Sequence, residues 1–373
     1  MSRVLKWCFT IVLGAIVLLA AAIAMWIAVT QRARSLRETQ GIEQLADGKG
    51  RWVRVDDAAL HIQEWGRPDA PVVLLTHGTG AWSGTWFALP DTLAAAGWRV
   101  VAIDLPPFGL STTSAIGIAD YTRAAQATRI LRLVERLGVP VTLVGHSFGA
   151  GPALEAAMQG GGAVRRLVLV DPALGLGAAG EPARCDPGGP GLLLSNRAAR
   201  SALVAATATW PGLTPTMLRS FVHRKEVVDD VLASAYRIPF GRTAFSTDLG
   251  DWAAAFSQTA CEGAASLDPG ALGRWSRGAA PVDLIWGAED TITPLAQGHA
   301  LVRWMPGARL SVIPDVGHIP HIEDPDAFAT ALLGVLAAPR STPSGLTVAA
   351  GLSPSAPRTG TPLPAAARTH KRS

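Results

Sequence analysis

The sequence predicts an α/β fold in which helices wrap a mostly parallel sheet. The first observation is a set of short, uninterrupted apolar runs, at residues 72–75, 100–103, 141–144 and 167–170. Such runs are typical of parallel strands that are buried on both faces. The second observation is that helical patterns separate the runs, notably at residues 121–137 and 150–158. Strands that alternate with helices build a parallel sheet covered on both sides.

The first two predicted strands differ from those that follow. Residues 51–55 and 60–65 alternate between polar and apolar side chains, which is the pattern of half-exposed antiparallel strands. The remaining elements follow later in the chain, as strands at 282–286 and 310–313 and a helix at 325–336. We therefore assign one core domain in two parts, residues 51–173 and 278–338.

Residues 174–277, here called the insert, interrupt this alternation. The segment has loops rich in Gly and Pro and several predicted helices. One helix is predicted over residues 215–231, because Thr214 is a suitable N-cap and Pro215 suits the first helical position. We expect the insert to form a helical cap on the core.

Length, composition and charge limit the number of domains and the kinds of partner that this chain can have. The 373 residues suffice for one large α/β domain with appendages, and the excess of Arg over Lys with abundant Ala and Gly is typical of a GC-rich bacterial source. The net charge of +4 is peripheral, since basic residues follow the apolar N-terminus and recur in the tail, at Arg32, Arg34, Arg37, Arg358, Arg368, Lys371 and Arg372. No nucleic-acid module, zinc-ligand spacing or phosphate-binding loop is present, so we expect no nucleic-acid partner, metal or cofactor. Residues 339–373 are predicted to be a disordered tail.

The N-terminus is predicted to be a membrane anchor within residues 1–30. Residues 7–29 contain no charged side chain, and at ~1.5 Å per residue they can cross a hydrocarbon core of ~30 Å. A cleaved signal peptide is the alternative, because Ala22-Ile23-Ala24 fits a cleavage site. The apolar run continues past that site and so favours the anchor. Residues 31–50 are predicted to be a polar linker.

The orientation of the anchor is less determined by the sequence, because the basic residues on its two sides nearly balance. Cys185 and Cys261 both fall in the insert. A disulfide between them would suit an exported protein, and two unrelated free thiols are the alternative. We expect a single-pass membrane protein whose main domain lies in the periplasm or outside the cell.

One short motif carries a candidate nucleophile. Gly145-His146-Ser147-Phe148-Gly149 matches G-x-S-x-G and lies directly between a predicted strand and a predicted helix. A sharp turn there crowds the backbone, which the two glycines relieve, and lifts the serine hydroxyl above the sheet edge beside the positive end of the helix. This context predicts that Ser147 is a nucleophile rather than a loop serine.

A serine hydroxyl needs a base that accepts its proton and later returns it, and imidazole has a suitable pKa. His318, in a loop after the last predicted strand, is the predicted base. His321, His146 and His77 are the alternatives. We expect His321 to pack or cap at the final helix and His77 to brace the loop that it begins.

A carboxylate is then needed to hold the base in one tautomer. Asp290, in the loop after the strand at 282–286, is the predicted acid. Asp171 is the rival because it ends the strand at 167–170, although beside Pro172 it could instead brace the insert. Asp104 is expected to be structural.

In this order the motifs resemble those of the α/β-hydrolase superfamily, over residues from about 51 to 338. The matching loops are His77-Gly78-Thr79-Gly80, residues 104–111, Gly287-Ala288-Glu289-Asp290 with Pro294, and residues 317–325. The second matches the family's D-x-P-G-x-G-x-S pattern with Pro107 in place of the usual Gly. The resemblance implies an eight-stranded sheet with a helical cap after the sixth strand, and the chain order Ser, Asp, His.

Two backbone N–H groups are expected to form an oxyanion hole. Phe148 supplies one because it follows the nucleophile, and the resemblance implies Thr79 for the other. Trp82 and Phe108 are predicted to line an apolar cleft, while most aromatic residues of the insert are expected in its own core. An apolar pocket under a cap suits a small hydrophobic acyl substrate.

We therefore expect a serine hydrolase that cleaves a carboxylic ester or related acyl bond through an acyl-enzyme. Haloalkane dehalogenases and epoxide hydrolases are disfavoured, since they carry aspartate at the position of Ser147. Cofactor-free perhydrolases, acyltransferases and carbon–carbon bond hydrolases share the same triad and stay open. So do a non-catalytic binding protein and a membrane-tethered accessory factor, because residues 77–81 are similar to a loop of a magnesium-chelatase accessory hydrolase family.

Overall fold

Nine strands form one mostly parallel sheet in the part of the chain that the structure describes. The computed structural model describes residues 3–114, 119–182, 195–258, 262–278 and 280–338. The strands are β1 (Arg51–Arg54), β2 (Ala58–Trp65), β3 (Val72–Thr76), β4 (Arg99–Ile103), β5 (Thr112–Thr113), β6 (Val141–His146), β7 (Val164–Val170), β8 (Val282–Gly287) and β9 (Arg309–Ile313).

The sheet has the order β1-β2-β4-β3-β6-β7-β8-β9, with β5 paired to β2. β1, β2 and β5 pair antiparallel, as does β2 with β4, and all pairs from β4 across to β9 are parallel. The predicted fold class is confirmed. The short strand β5 adds a ninth to the predicted eight, because two residues are too few to leave a pattern in the sequence.

Thirteen α-helices accompany the sheet within the described residues. They are α1 (Arg3–Arg37), α2 (Ile42–Ala46), α3 (Leu89–Ala95), α4 (Arg123–Leu137), α5 (Ala150–Gly160), α6 (Arg197–Ala206), α7 (Thr214–Phe221), α8 (Asp230–Arg237), α9 (Phe245–Phe256), α10 (Pro269–Ser276), α11 (Leu295–Trp304), α12 (Pro320–Glu323) and α13 (Pro325–Ala337).

The apolar runs divide their side chains between two cores, one on each face of the sheet. In β3, Leu74 packs with residues of α4 and α5, and the adjacent Leu75 packs with residues of α3 and α13. Both leucines are fully buried. Because successive side chains of a strand point to opposite faces, a strand covered on both sides needs apolar residues at every position. The same parallel strands all end at one edge, where the loops after them meet.

The insert contributes α6 to α10, between β7 and β8. The helix predicted over residues 215–231 is instead two helices, α7 and α8, with a short turn at Lys225–Val227 between them. Val222 has extended backbone. The next two N–H groups, of His223 and Arg224, donate to the buried carboxylate of Glu323 rather than to the helix. A tertiary contact therefore ends a helix that the local pattern would continue.

The N-terminal helix is longer than predicted. α1 passes without a break through the predicted boundary at residue 30, and α2 lies within the predicted linker. Arg34 donates hydrogen bonds to Ser201 and Thr247 of the insert, at 2.6 and 2.5 Å. Part of the segment predicted to be a polar linker, residues 31–50, is therefore helical and packs on the insert.

The described part of α1 includes a helix long and apolar enough to cross a membrane, over Trp7–Arg37 with a hydropathy of 2.7. None of its most apolar window is buried in the protein. A signal sequence near an N-terminus has the same properties, so both sequence interpretations fit the helix. The predicted tail at 339–373 and both Cys185 and Cys261 lie outside the described residues.

Candidate active site

Ser147 occupies a sharp turn between β6 and α5. Its φ is +49°, in the left-handed region that residues other than Gly rarely adopt. A Cβ on Gly145 would lie 2.6 Å from the Cα of Ala150, and a Cβ on Gly149 would lie 2.5 Å from the carbonyl oxygen of His77. Both flanking positions therefore have no room for a side chain, which is the physical reason for the G-x-S-x-G spacing.

Ser147, His318 and Asp290 form a continuous hydrogen-bonded chain. The Oγ of Ser147 lies 2.8 Å from Nε2 of His318, and Nδ1 of His318 lies 2.8 Å from Oδ2 of Asp290. All three side chains are buried. With Nδ1 donating to the carboxylate, Nε2 is free to accept the serine proton, which is the arrangement that activates a serine hydroxyl.

The loop after β8 holds Asp290 in place. Its Oδ1 accepts N–H groups from Ile292 and Thr293 at 2.7 and 2.9 Å, and its Oδ2 accepts the Thr293 hydroxyl at 2.6 Å. Burial alone would raise the pKa of Asp290, but hydrogen bonds from His318 and Thr293 lower this pKa below its usual value. Asp290 is therefore an anion at neutral pH. The sequence analysis missed Thr293, although an Asp that bonds N–H groups two and three residues on is a common turn signal.

Asp171, the predicted rival, is fully buried at the end of β7 with a φ of +42°. Its Oδ1 accepts the N–H of Gly287 at 2.8 Å. Burial, and then the nearby Asp290 carboxylate, raise the pKa of Asp171 well above its usual value. His318 donates its hydrogen bond to Asp290, whereas Asp171 accepts from Gly287, so the two carboxyl groups differ in partner and in the direction of their pKa shifts.

The other histidines near the turn have structural contacts. The Nε2 of His146 bonds the His318 carbonyl at 2.8 Å, and burial lowers the pKa of His146 well below its usual value. His321 packs on Trp86 at 4.6 Å between ring centroids, and burial lowers its pKa to about 3. His77 accepts the N–H of Leu105 at 3.0 Å and bonds its neighbouring carbonyl at 2.8 Å, so it braces its loop.

The loop after β3 lies directly against the serine. A Cβ added to Gly78 would come within 3.0 Å of the Cβ of Ser147. Thr79 and Gly80 border the same cavity as Ser147, and Phe148 is the next residue of the turn. Of the predicted oxyanion residues, Thr79 therefore borders the same cavity as Ser147, and Phe148 is bonded to it in the chain.

A cavity of about 160 Å³ opens beside Ser147 and His318. Most of its wall belongs to the insert, namely Val204, Ala208, Thr214, Met217, Leu218, Phe221, Tyr236, Phe240, Phe245, Leu249, Trp252 and Ala253. The insert aromatics expected in its own core therefore include several wall residues. Among the lining residues that the structure describes, none is Lys, Arg, Asp or Glu. A larger cleft, of about 1010 Å³, lies at the amino ends of β7 and β8, away from the serine.

Trp82 and Phe108, predicted to line the cleft, do not border this cavity. The Trp82 indole is buried and donates to the Ala235 carbonyl at 2.9 Å. Phe108 is fully buried, with its ring 5.4 Å from that of Phe148 and 4.8 Å from that of Trp252. Trp252 of the insert packs against Phe108, and it is Trp252 that borders the cavity.

Glu323 ties the loop of His318 to the insert, a role that the sequence analysis missed. Its Oε2 accepts N–H groups from Gly317 at 3.0 Å, His223 at 2.7 Å and Arg224 at 3.1 Å. The N–H of His318 donates to the Phe221 carbonyl at 3.0 Å. The insert backbone therefore helps to position the histidine. Glu323 lies in a stretch whose acidic residues suggest only a helix start.

Comparison with known proteins agrees with this architecture. Residues 71–325 match the model of the alpha/beta hydrolase fold family. A 2-hydroxymuconate semialdehyde hydrolase of Pseudomonas putida is 30% identical over 294 aligned positions, covering 74% of this chain and 90% of that protein. An uncharacterised protein of Mycobacterium tuberculosis is 30% identical over 274 positions, covering 69% and 73%.

Among solved structures, the 2-hydroxy-6-oxo-6-phenylhexa-2,4-dienoate hydrolase from Rhodococcus sp. strain RHA1 has a TM-score of 0.61 and 22% identity, covering 78% of this chain and 98% of that one. At that identity the likeness shows a shared fold. Together with the family match, it means that the chain belongs to the α/β-hydrolase family.

Proposed function

We propose that this protein is a serine hydrolase that cleaves a carboxylic ester, or a related acyl bond, of a hydrophobic substrate. The observation that carries the proposal is the uncharged, largely apolar cavity beside the Ser147 hydroxyl, since its described lining has no Lys, Arg, Asp or Glu. An apolar wall with a few polar groups at one end favours a substrate with an apolar chain and one reactive polar bond.

In the proposed mechanism, His318 accepts the Ser147 proton as Oγ attacks the acyl carbon. The carbonyl oxygen becomes an oxyanion, which the N–H groups of Thr79 and Phe148 stabilise. His318 then gives its proton to the departing alcohol, and the acyl group stays on Ser147. Water repeats the sequence, with His318 as base, and releases the carboxylic acid. Throughout, the Asp290 anion stabilises the imidazolium of His318.

The proposal extends to the place of the enzyme in the cell. We propose that residues 7–29 stay in the protein as a single-pass anchor and that the main domain lies in the periplasm or outside the cell. The length and exposure of the apolar part of α1 support an anchor.

Carbon–carbon bond hydrolysis is the second candidate function. It is favoured by the 30% identity to a 2-hydroxymuconate semialdehyde hydrolase. A muconate-type substrate carries a carboxylate, which a buried site must pair with a cation or a set of donors. The cavity beside Ser147 has no Lys or Arg among its described lining residues, so the ester proposal has the stronger support.

The two candidates can be separated with purified protein. The wild type and Ser147→Ala are treated with a fluorophosphonate probe and assayed on p-nitrophenyl esters of increasing chain length and on a dienoate ring-fission product. We expect labelling and ester turnover in the wild type and neither in Ser147→Ala. Turnover of the dienoate alone would favour the second candidate, and a wild type inert to probe and esters would contradict the ester proposal.

A further inference from the structure

The last turns of α1 dock on the helices that form the cavity wall. Arg34 bridges Ser201 of α6 and Thr247 of α9, and Glu38 accepts the Ser246 N–H at 3.2 Å. Glu38 is 9% exposed, and Arg34 pairs with it at 3.0 Å. Removing one partner of such a pair would leave the other charge uncompensated in the interface. These contacts hold the last turns of α1 against the insert.

Exposed apolar side chains connect the emerging helix to the cavity. Trp26 lies edge-on to Trp210, with 5.1 Å between ring centroids, and its Nε1 donates to the Ala206 carbonyl at 3.3 Å. Three apolar residues of the insert, on either side of Trp210 in the chain, are partly exposed and are here called the apolar rim. Their exposed fractions are 43% for Leu203, 36% for Leu213 and 38% for Met217.

Met217 connects this rim to the site, because it is both partly exposed and part of the cavity wall. The cavity wall therefore reaches the apolar rim, and Trp26, near the end of the apolar span, contacts Trp210 in the same part of the insert. Tryptophans are enriched where protein meets the membrane–water boundary, and a contiguous exposed apolar surface usually marks a contact surface.

We propose that the apolar rim rests on the bilayer from which α1 emerges, and that the substrate is a membrane-resident lipid ester whose acyl chain enters the cavity past Met217. The inference rests on the proposed ester hydrolysis. Water would cleave the acyl ester of the lipid to a fatty acid and the corresponding alcohol. At about 160 Å³ the cavity is below the roughly 300–1,000 Å³ of common ligand sites, so the rest of a long chain stays outside, along the rim.

The test uses full-length protein reconstituted in phosphatidylcholine vesicles and a matched pair of variants. Leu203→Asp with Leu213→Asp charges the rim without touching a cavity-wall residue. Val139→Asp is the control, because Val139 is equally exposed at 43% but precedes β6, at the sheet edge opposite Ser147. Each protein is assayed on the vesicle lipid and on a water-soluble short ester.

We expect the rim variant to lose at least tenfold on the vesicle lipid and less than twofold on the soluble ester, with the control unchanged on both. Equal rates of the rim variant and the wild type on vesicles would overturn the inference, as would a wild type that cleaves the soluble ester but not the lipid. Absence of any ester turnover would instead count against the proposed function.

A second measurement does not depend on catalysis or on the aspartates being tolerated. Leu213→Cys and Val139→Cys are each labelled with the fluorophore NBD, and the signal of the labelled parent protein is subtracted. We expect a blue shift with vesicles only for residue 213. Identical spectra at the two positions would contradict bilayer contact at the rim.

Discussion

At the scale of single residues, the site depends on two neighbouring carboxyl groups with opposite properties. Asp290 bonds His318, and its pKa is lowered by the hydrogen bonds that offset its burial. Asp171 bonds a backbone N–H, and burial raises its pKa. Environments that push the pKa values of two acids apart often assign them different roles. Here the anion is the group that contacts the histidine.

Exchanging each carboxyl for an amide tests this division. We expect Asp290→Asn to lower kcat by roughly 10⁴-fold, the scale seen when a triad acid loses its charge. Asp171→Asn should cost less than about tenfold, because an amide closely resembles a protonated carboxyl. Both are measured as ester turnover, and the reverse ranking would assign the catalytic acid to Asp171.

The raised pKa of Asp171 predicts how the stability of the protein depends on pH. A group whose pKa is raised by folding contributes stability that is present below its unfolded pKa, about 3.9 for Asp, and is lost as pH rises through its folded pKa. The Tm of Asp171→Asn relative to the wild type should therefore increase from pH 4 to pH 9. Thermal unfolding in detergent checks this, and parallel Tm profiles would show that Asp171 is charged in the folded protein.

Ser147, His318 and Asp290 were predictable because each lies in a loop that directly follows a strand. The motifs of the Ser147 and His318 loops contain glycines where a side chain would not fit. Ser147 has room only between two glycines, and His318 follows Gly317, whose Cβ would lie 2.6 Å from the His223 nitrogen. The positions of Trp82 and Phe108 outside the lining of this cavity could not be read from local sequence. Their surroundings are set by α8 and α9, more than a hundred residues away in sequence.

At the scale of elements, a buried pair holds the loop after β4. His61 of β2 contacts Asp104 at 3.0 Å and the Lys49 carbonyl at 3.0 Å. Asp104 also accepts N–H groups from Ser83 and Leu110 at 2.6 and 2.8 Å. Burial alone would lower the pKa of His61, but Asp104 raises it. The sequence analysis identified Asp104 as structural but found no partner for it, since His61 lies in a different element.

Removing the His61 side chain should leave the Asp104 carboxylate buried without an opposite charge beside it. We expect His61→Ala to lower the free energy of unfolding by about 3–5 kcal/mol, the usual cost of breaking a buried ion pair. The contribution of a raised histidine pKa is present below about 6.5 and lost as pH rises through the folded pKa. Denaturant unfolding of wild type and variant at pH 6 and pH 9 should thus show a smaller difference at pH 9, and a larger one would be inconsistent with a protonated His61.

Glu323 joins two elements through backbone groups alone, and its role can be separated from general stability. We expect Glu323→Ala to lower kcat by roughly 10²-fold, the effect of a small displacement of a catalytic group, with little change in KM. Glu323→Gln retains an acceptor oxygen and should recover most of the loss. If both variants lost Tm but kept kcat, the residue would only stabilise the fold.

At the scale of the whole molecule, α1 and the insert form one structural unit. The contacts that join them, such as Arg34 with Thr247, connect residues 213 positions apart. A polar segment after an apolar run looks like a linker in sequence, because such contacts leave no local pattern. The break between α7 and α8 was hidden for the same reason.

Retention of the anchor is the prediction at this scale. We expect the mature protein to stay in the membrane fraction after an alkaline carbonate wash, since none of the most apolar window of α1 is buried in the protein. N-terminal sequencing should begin before residue 7. A mature chain that begins at Met25, after Ala22-Ile23-Ala24, would instead establish a cleaved signal.

The central claim is that Ser147 carries an acyl group during turnover, and peptide mass spectrometry after fluorophosphonate treatment tests it most directly. The account predicts one adduct, on the peptide that contains Ser147, and its disappearance in Ser147→Ala together with ester turnover. An adduct on a different serine, or full ester turnover by Ser147→Ala, would contradict the account.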